Sequence, residues 1–362
     1  MSGLGEEGGG CAAVAAVQAV PRTTLAPGAC SEAQELLASL AQPEPRISQS
    51  FQYDEKGSAL YEKIVEQKEY YLVEAESALV ARHMAEIALP AAAASPAAEA
   101  LVEQRVVELG AGAGHRTHPL VIAMAGHAAR TTYSPTDISP SALEENRRYF
   151  DATCGATAGL RFEPLVGTHE VTTQAAAAAQ RGGGGGGGGG GGVATTFMFM
   201  GSSLGNYFDG EIVGLLRLIL GVMGPRDRLL LGVDRCHGPR KPAHLIHTAY
   251  NDAAGYTAAF TLNALSHANR VAGLDFDESQ WRHEAVYDEA RCSIVTHVVA
   301  REDLELRGGA AAGAAGGAAG GLRRSFRAGE RIFMEQSRKF DEARRLASAP
   351  PQSPCPSPSP QA

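Results

Sequence analysis

The stretch Arg105-Val-Val-Glu-Leu-Gly-Ala-Gly-Ala-Gly-His-Arg-Thr117 constrains the fold more than any other part of the chain. A short run of strand-forming residues, Arg105 to Leu109, stops at three glycines, Gly110, Gly112 and Gly114. A helix is expected straight after, Thr117 to Met124, with Pro119 tolerated near its start. Strand, glycine loop and helix N-terminus make the ligand-binding corner of a doubly wound α/β sheet. Glycine lets backbone approach a cofactor there, and the free N–H groups of the helix start face it.

The flanking sequence carries the strands such a sheet needs. Strands are expected at Thr131–Ile138, Leu160–Val166, Thr195–Met200 and Arg228–Asp234, with helices at Ser141–Phe150 and Glu211–Met223. This alternation implies parallel pairing with right-handed crossovers. Ahead of the core, apolar residues at helix spacing mark a helix from Ser31 through Leu40, another over Ser58–Gln67 and a third over Ala75–Leu89, with a polar turn at Ser50–Gly57. After Asp234 the rhythm stops. Helical segments at His244–Ala254, Thr257–Ala272 and Trp281–Tyr287 precede strand-like runs at Cys292–Ala300 and Ile332–Gln336. The expected division is a disordered 1–30, an N-terminal helical segment 31–98 on the substrate side, a Rossmann-like cofactor domain 99–235, a smaller α+β substrate domain 236–346, and a disordered Pro/Ser tail 347–362. Low-complexity stretches at 168–194, with the glycine tract Gly182–Gly192, and at 308–321 read as surface loops.

Charge and cysteine usage narrow the partners. A net charge of -8 without clustered Lys and Arg argues against nucleic acid. No run of about 18 apolar residues is present, so no membrane span is expected. The six cysteines are scattered without a C-x-x-C pair, which argues against a disulfide framework or structural zinc and for a reducing, cytoplasmic setting.

The glycine spacing is G-x-G-x-G, not the G-x-G-x-x-G of a dinucleotide loop. With Glu108 ahead of it, the loop suits S-adenosylmethionine (SAM) better than NAD. Asp137, ending the next strand, is placed to accept from ribose hydroxyls or to be a solvated residue ahead of a helix cap. Arg116 suits a carboxylate such as that of a methionine moiety. The turn Gly201-Ser-Ser-Leu-Gly-Asn-Tyr207 puts small polar groups at the carboxyl end of a fully apolar strand, where ligands bind in parallel sheets. His115 with His118, and His244 with His247, lack the further ligands a metal needs, and no metal is expected.

Taken in order, Tyr53-Asp-Glu-Lys-Gly-Ser58, Glu69-Tyr-Tyr71, Val107-Glu-Leu-Gly-Ala-Gly112, Asp137-Ile-Ser139, Gly201-Ser-Ser-Leu-Gly-Asn206, Leu231-Gly-Val-Asp234, Ala249-Tyr-Asn-Asp-Ala-Ala-Gly255 and Glu335-Gln-Ser-Arg-Lys-Phe340 resemble the histidine-specific SAM-dependent methyltransferases that form hercynine for ergothioneine biosynthesis. The resemblance implies a class I methyltransferase sheet. It also implies that Tyr53, Gly110, Gly112, Arg116 and Asp137 hold SAM, with Arg116 where the family often has Lys. Tyr70, Gly201, Ser203, Asn206 and Tyr250 would hold the amine and carboxylate of L-histidine, and Glu335 and Ser337 the imidazole. Asn206, Tyr70 and Tyr250 would act catalytically by orienting the amine. A monomer is expected, beside a separate sulfoxide-forming enzyme. Three departures stand out. The acidic position after the third strand is Thr168-His169, with Glu170 the nearest acid. A common methionine at the imidazole pocket is Thr296. Relatives continue past Lys339-Phe340 with a helix and a strand-forming segment, so a missing C-terminal sheet segment and an uncovered sheet edge are expected here. A methyltransferase for another amino acid or an indole amine, a SAM-binding pseudo-enzyme and an NAD-dependent dehydrogenase are the alternative readings.

Overall fold

The computed structural model describes residues 31–89, 101–182, 193–308 and 321–341. The disordered segments expected at 1–30 and 347–362 lie outside them, as do the glycine tract from 183 and most of the 308–321 insertion. The chain order of strands is β1 (Leu101–Leu109), β2 (Ala128–Asp137), β3 (Leu160–Phe162), β4 (Leu165–Val166), β5 (Val193–Phe199), β6 (Arg228–Leu231), β7 (Trp281–Asp288), β8 (Ser293–Ala300), β9 (Leu304–Gly308), β10 (Leu322–Phe326) and β11 (Arg331–Arg338).

The first six form one parallel sheet, ordered β3-β2-β1-β5-β6 with β4 also on β2. In register, β1 sets Val107 against Ser134 of β2 and against Phe197 of β5. The strand order therefore reverses beside β1, which opens a crevice at the carboxyl ends of β1 and β5. Apolar strands buried on both faces explain the stability of this core: Val106, Val107 and Leu109 of β1 and Phe197, Met198 and Phe199 of β5 are all buried. Leu120, Val121 and Met124 of helix His118–Ala125 cover one face, and Ile212, Leu215 and Ile219 of helix Asp209–Val222 the other.

The N-terminal helices join the C-terminal half. Leu36, Leu40, Ile47 and Phe51 share one core with Ala264, Leu265 and Ala268 of helix Tyr256–Ala272, Trp281 of β7 and Phe326 of β10. That core backs a three-stranded antiparallel sheet, β11-β8-β7, and a hairpin, β10-β9. Among the described residues the parallel sheet ends at β6, where Arg235 makes a single parallel bridge to Phe340.

Several expectations are corrected. Trp281–Tyr287 is strand β7, because Trp281, Ala285 and Tyr287 are buried at a period of two with Val286 exposed between them. The run Leu160–Val166 splits into β3 and β4, with Glu163 and Pro164 between, and proline lacks the N–H a continuous ladder needs. His169–Gly182, expected within a loop, is helical, as its alanine run favours. The polar turn at Ser50–Gly57 is a 3-10 turn, Gln49–Gln52, followed by a helix from Glu55 capped by Asp54. Ala75–Leu89 is two helices, Tyr71–Arg82 and Met84–Ala88. Cys236 and Cys292 are paired as a disulfide with Cα atoms 5.6 Å apart, against the expectation of none. Fifty-six residues separate them in sequence, so no local spacing motif announces the pair.

Candidate active site

The crevice beside β1 is built from two loops. After β1, Gly110, Gly112 and Gly114 take φ values of 68°, 53° and 74°, which side chains with a Cβ rarely adopt. At Gly114 a Cβ would lie 2.5 Å from the Asn146 amide and 2.6 Å from the His118 ring. At Gly112 it would meet nothing within 4 Å, so the loop presents open backbone to a ligand there. The loop is held from below and beside. Asp137 Oδ2 accepts from Gly112 N (2.9 Å) and its Oδ1 from Ser139 N (2.9 Å). Burial pushes this carboxyl up, and the Ser139, Gly112 and Ile138 N–H groups pull it back. Asn146 donates to Gly112 O (2.9 Å) and meets His118 Nε2 (2.9 Å). Under the loop, Glu108 accepts from Thr117 Oγ1 (3.0 Å) and from the Tyr133 hydroxyl, and burial raises its carboxyl to about 7.

The second loop follows β5. Gly201 (φ 71°) donates its N–H to Glu76 Oε1 (2.9 Å). Ser202 holds a left-handed conformation (φ 59°), uncommon for a side chain with a Cβ and frequent at ligand clamps. It is anchored because Ser202 Oγ accepts from Asp234 N (3.0 Å) and Ser202 N donates to Gly232 O (3.1 Å). One 3-10 turn, Ser203–Asn206, then carries Asn206 forward. Its side-chain amide has no protein hydrogen bond among the described residues and lines a cleft.

That cleft gathers all seven expected substrate residues, together with Tyr53, expected at the cofactor. Tyr53, Tyr70, Gly201, Ser203, Asn206 and Tyr250 line it, with Glu335 and Ser337 projecting from β11. Glu335 and Ser337 are two apart on a strand and so share a face. A bulge between Phe333 and Glu335 sets this register, with Glu335 directly opposite Thr296 of β8. The rings of Tyr70 and Tyr250 meet edge-on at 6.1 Å, as do those of Tyr53 and Phe260 at 5.2 Å. Burial raises Glu335 to about 7, with Gln52 and Lys339 pulling it part of the way back. Burial also lifts the Tyr53, Tyr70 and Tyr250 phenols, so all three stay protonated at neutral pH.

Gly110, Gly112, Arg116 and Asp137 do not line this cleft; they stand beside it. Tyr53 links the two, since both Glu335 and Asp137 act on its hydroxyl. Arg116 faces the Tyr61 and Tyr70 hydroxyls across the same boundary. The glycine loop thus presents open backbone at Gly112 beside the Asp137 carboxylate and the Arg116 guanidinium. At the departure after β4, His169 fills the space. Its Nδ1 meets the Tyr207 hydroxyl (2.6 Å), its Nε2 faces Gly110, and burial pulls it down to about 4, leaving it neutral.

Sequence reasoning missed Ser202 and Thr257 on the cleft wall, a role there for Tyr61, and Lys339 behind it. Tyr61 reads in sequence as one more apolar position on a helix stripe. A positive φ at Ser202 has no signature in residue type.

Comparison with known proteins bears on this geometry. A family profile described as histidine-specific methyltransferase, SAM-dependent, matches residues 32–350. A histidine N-alpha-methyltransferase from Mycobacterium tuberculosis is 28% identical over 80% of this chain and 78% of its own length. Ergothioneine biosynthesis protein 1 from Neurospora crassa is 29% identical over 66% of this chain, which spans about a quarter of that protein (24%). Among solved structures, a magnesium protoporphyrin IX methyltransferase from Synechocystis with bound SAM aligns at a TM-score of 0.30 and 13% identity, covering 63% of this chain and 88% of that one.

Proposed function

Because the chain belongs to the histidine-specific, SAM-dependent methyltransferase family, we propose that it methylates the α-amine of L-histidine, three times, to give hercynine for ergothioneine biosynthesis. The observation that carries this reading is Glu335: an ionisable carboxyl raised to about 7, on the wall of the same cleft as the open amide of Asn206. An imidazole N–H needs such an acceptor. An indole pocket would be apolar there, which disfavours the indole-amine alternative.

Tyr53, Gly110, Gly112, Arg116 and Asp137 would hold SAM, which supplies a methyl group on an electrophilic sulfonium carbon. The chain's task is then to place the amine lone pair within about 3–3.5 Å of that carbon, in line. Asn206, Tyr70 and Tyr250 orient the amine, with Gly201 and Ser203 beside its carboxylate. No strong general base is required, because the amine loses its proton to water before each attack. The tyrosine ring faces stabilise the increasingly cationic amine. A monomeric state and a separate sulfoxide-forming enzyme belong to the same proposal, whereas the expected cytoplasmic setting does not. The Cys236–Cys292 pair is the observation that speaks against a reducing compartment.

Glu335→Ala tests the assignment. Losing a hydrogen bond to a charged acceptor costs about 1.5–3 kcal/mol, so histidine affinity should fall roughly 10- to 100-fold, with SAM affinity unchanged. Calorimetry with each ligand reads both, and an unchanged histidine affinity would remove Glu335 from the substrate site.

A further inference from the structure

Behind the cleft wall lies a lysine that the chemistry above does not use. Lys339 follows β11 and is 1% exposed. Its ammonium donates to Tyr250 Oη (2.7 Å) and Ser337 Oγ (3.1 Å) and lies 3.2 Å from Asp234 Oδ2. An ammonium has three donors and no acceptor, so all three are committed. Asp234 balances the charge, and also accepts from Lys241 Nζ (2.5 Å) and the Tyr71 hydroxyl (2.6 Å).

The two hydroxyls are also bonded to each other, Tyr250 Oη to Ser337 Oγ at 2.7 Å. Each accepts from Lys339, so their two hydrogens divide unequally. One lies between the two oxygens, and the other has no partner among the described residues. Both side chains line the cleft, so that second hydrogen is free to turn into it.

We infer that Lys339 is a specificity-determining positioning residue, which makes the Tyr250–Ser337 pair present an O–H donor to the cleft beside the Glu335 acceptor. The wall then reads a ring with one N–H and one bare nitrogen, the pattern of neutral imidazole. The inference rests on the histidine reading and deepens it.

Three amino acids test it by calorimetry on the protein with S-adenosylhomocysteine bound: histidine, 3-(pyrrol-3-yl)alanine (ring N–H at the ε place, no acceptor) and 3-(thiazol-4-yl)alanine (ring acceptor at the δ place, no N–H). Each analogue keeps one of the two ring functions of the Nε2–H tautomer in position. Wild type should bind the pyrrole analogue at least tenfold more weakly than histidine. In Lys339→Met the hydroxyls are free to turn and accept, so that penalty should drop below threefold while the thiazole penalty, set by Glu335, persists. A merely structural role would weaken all three ligands alike. Lys339→Gln, which still bonds the buried hydroxyls but also accepts, replaces the methionine variant if that one fails to fold, with the same expectation. Equal binding of pyrrole analogue and histidine by wild type overturns the inference, as does tenfold discrimination retained in the variant. Histidine bound and methylated without ring discrimination sinks this inference alone. Absence of histidine binding sinks the histidine reading with it.

Discussion

In the proposed site, Glu335 gives up stability for recognition of the imidazole. Its carboxyl stands at about 7 in the fold against an ordinary 4.5, raised by burial. The native state therefore holds a proton between those values that the unfolded chain has lost. Its full stability contribution is present below the ordinary value and is lost as pH rises through about 7. That difference corresponds to at most about 3 kcal/mol. Glu335→Gln should accordingly raise the melting temperature at pH 8 and leave it near wild type at pH 4, while the KM for histidine rises about tenfold or more. A variant no more stable than wild type at pH 8 would show that the buried carboxylate costs the fold nothing. That Glu335, Asn206 and Tyr250 share one cleft follows the expectation drawn from the resemblance, because each sits in a motif that carries it. Lys339 stands in the same motif as Glu335 with nothing in residue type to give it a role. A lysine in sequence reads as solvent-facing, and nothing in residue spacing shows that two hydroxyls and a carboxylate converge on it.

Two elements meet closely where the β5 loop docks on β11. A Cβ at Gly205 would lie 2.5 Å from the Arg338 carbonyl oxygen and 3.1 Å from its nitrogen, both backbone atoms that cannot swing aside. Gly205→Ala should cost about 1–3 kcal/mol, read as a lower urea midpoint, and should lower kcat/KM by moving Asn206. Wild-type stability and turnover in that variant would mean that the two elements do not meet so closely. Elements with one clean burial pattern were readable in advance. β5 declares itself by an unbroken apolar run, and helix Asp209–Val222 by its stripe. β7 does not, because Arg282, His283 and Glu284 interrupt its apolar residues. Its period of two emerges only once β8 lies beside it.

For the whole molecule, the Cys236–Cys292 bond ties the end of the parallel sheet to the antiparallel one. Cys236 N donates to Phe340 O, and Lys339 N to Cys292 O, so the bond clasps the segment that carries Lys339. Closing a loop across a sequence separation of 56 residues contributes about 4 kcal/mol by chain entropy. A reductant, or Cys292→Ser, should lower the melting temperature by several degrees; an unmoved transition would show that the bond does not form in solution. At this scale the sequence marks where the parallel sheet ends, since the strand–helix alternation stops at Asp234. It could not show that the first helices share their core with the last strands, because Leu36 and Trp281 carry no mark of each other. On the proposed function, the glycine loop would take the methyl donor within that assembly, and the N- and C-terminal parts would together shape the acceptor site. The direct test is incubation of the purified protein with SAM and each of the twenty amino acids, followed by mass spectrometry. Mono-, di- and trimethylhistidine, with no methylation of the other nineteen, is the predicted result. Bound SAM with no methylated histidine would contradict the account.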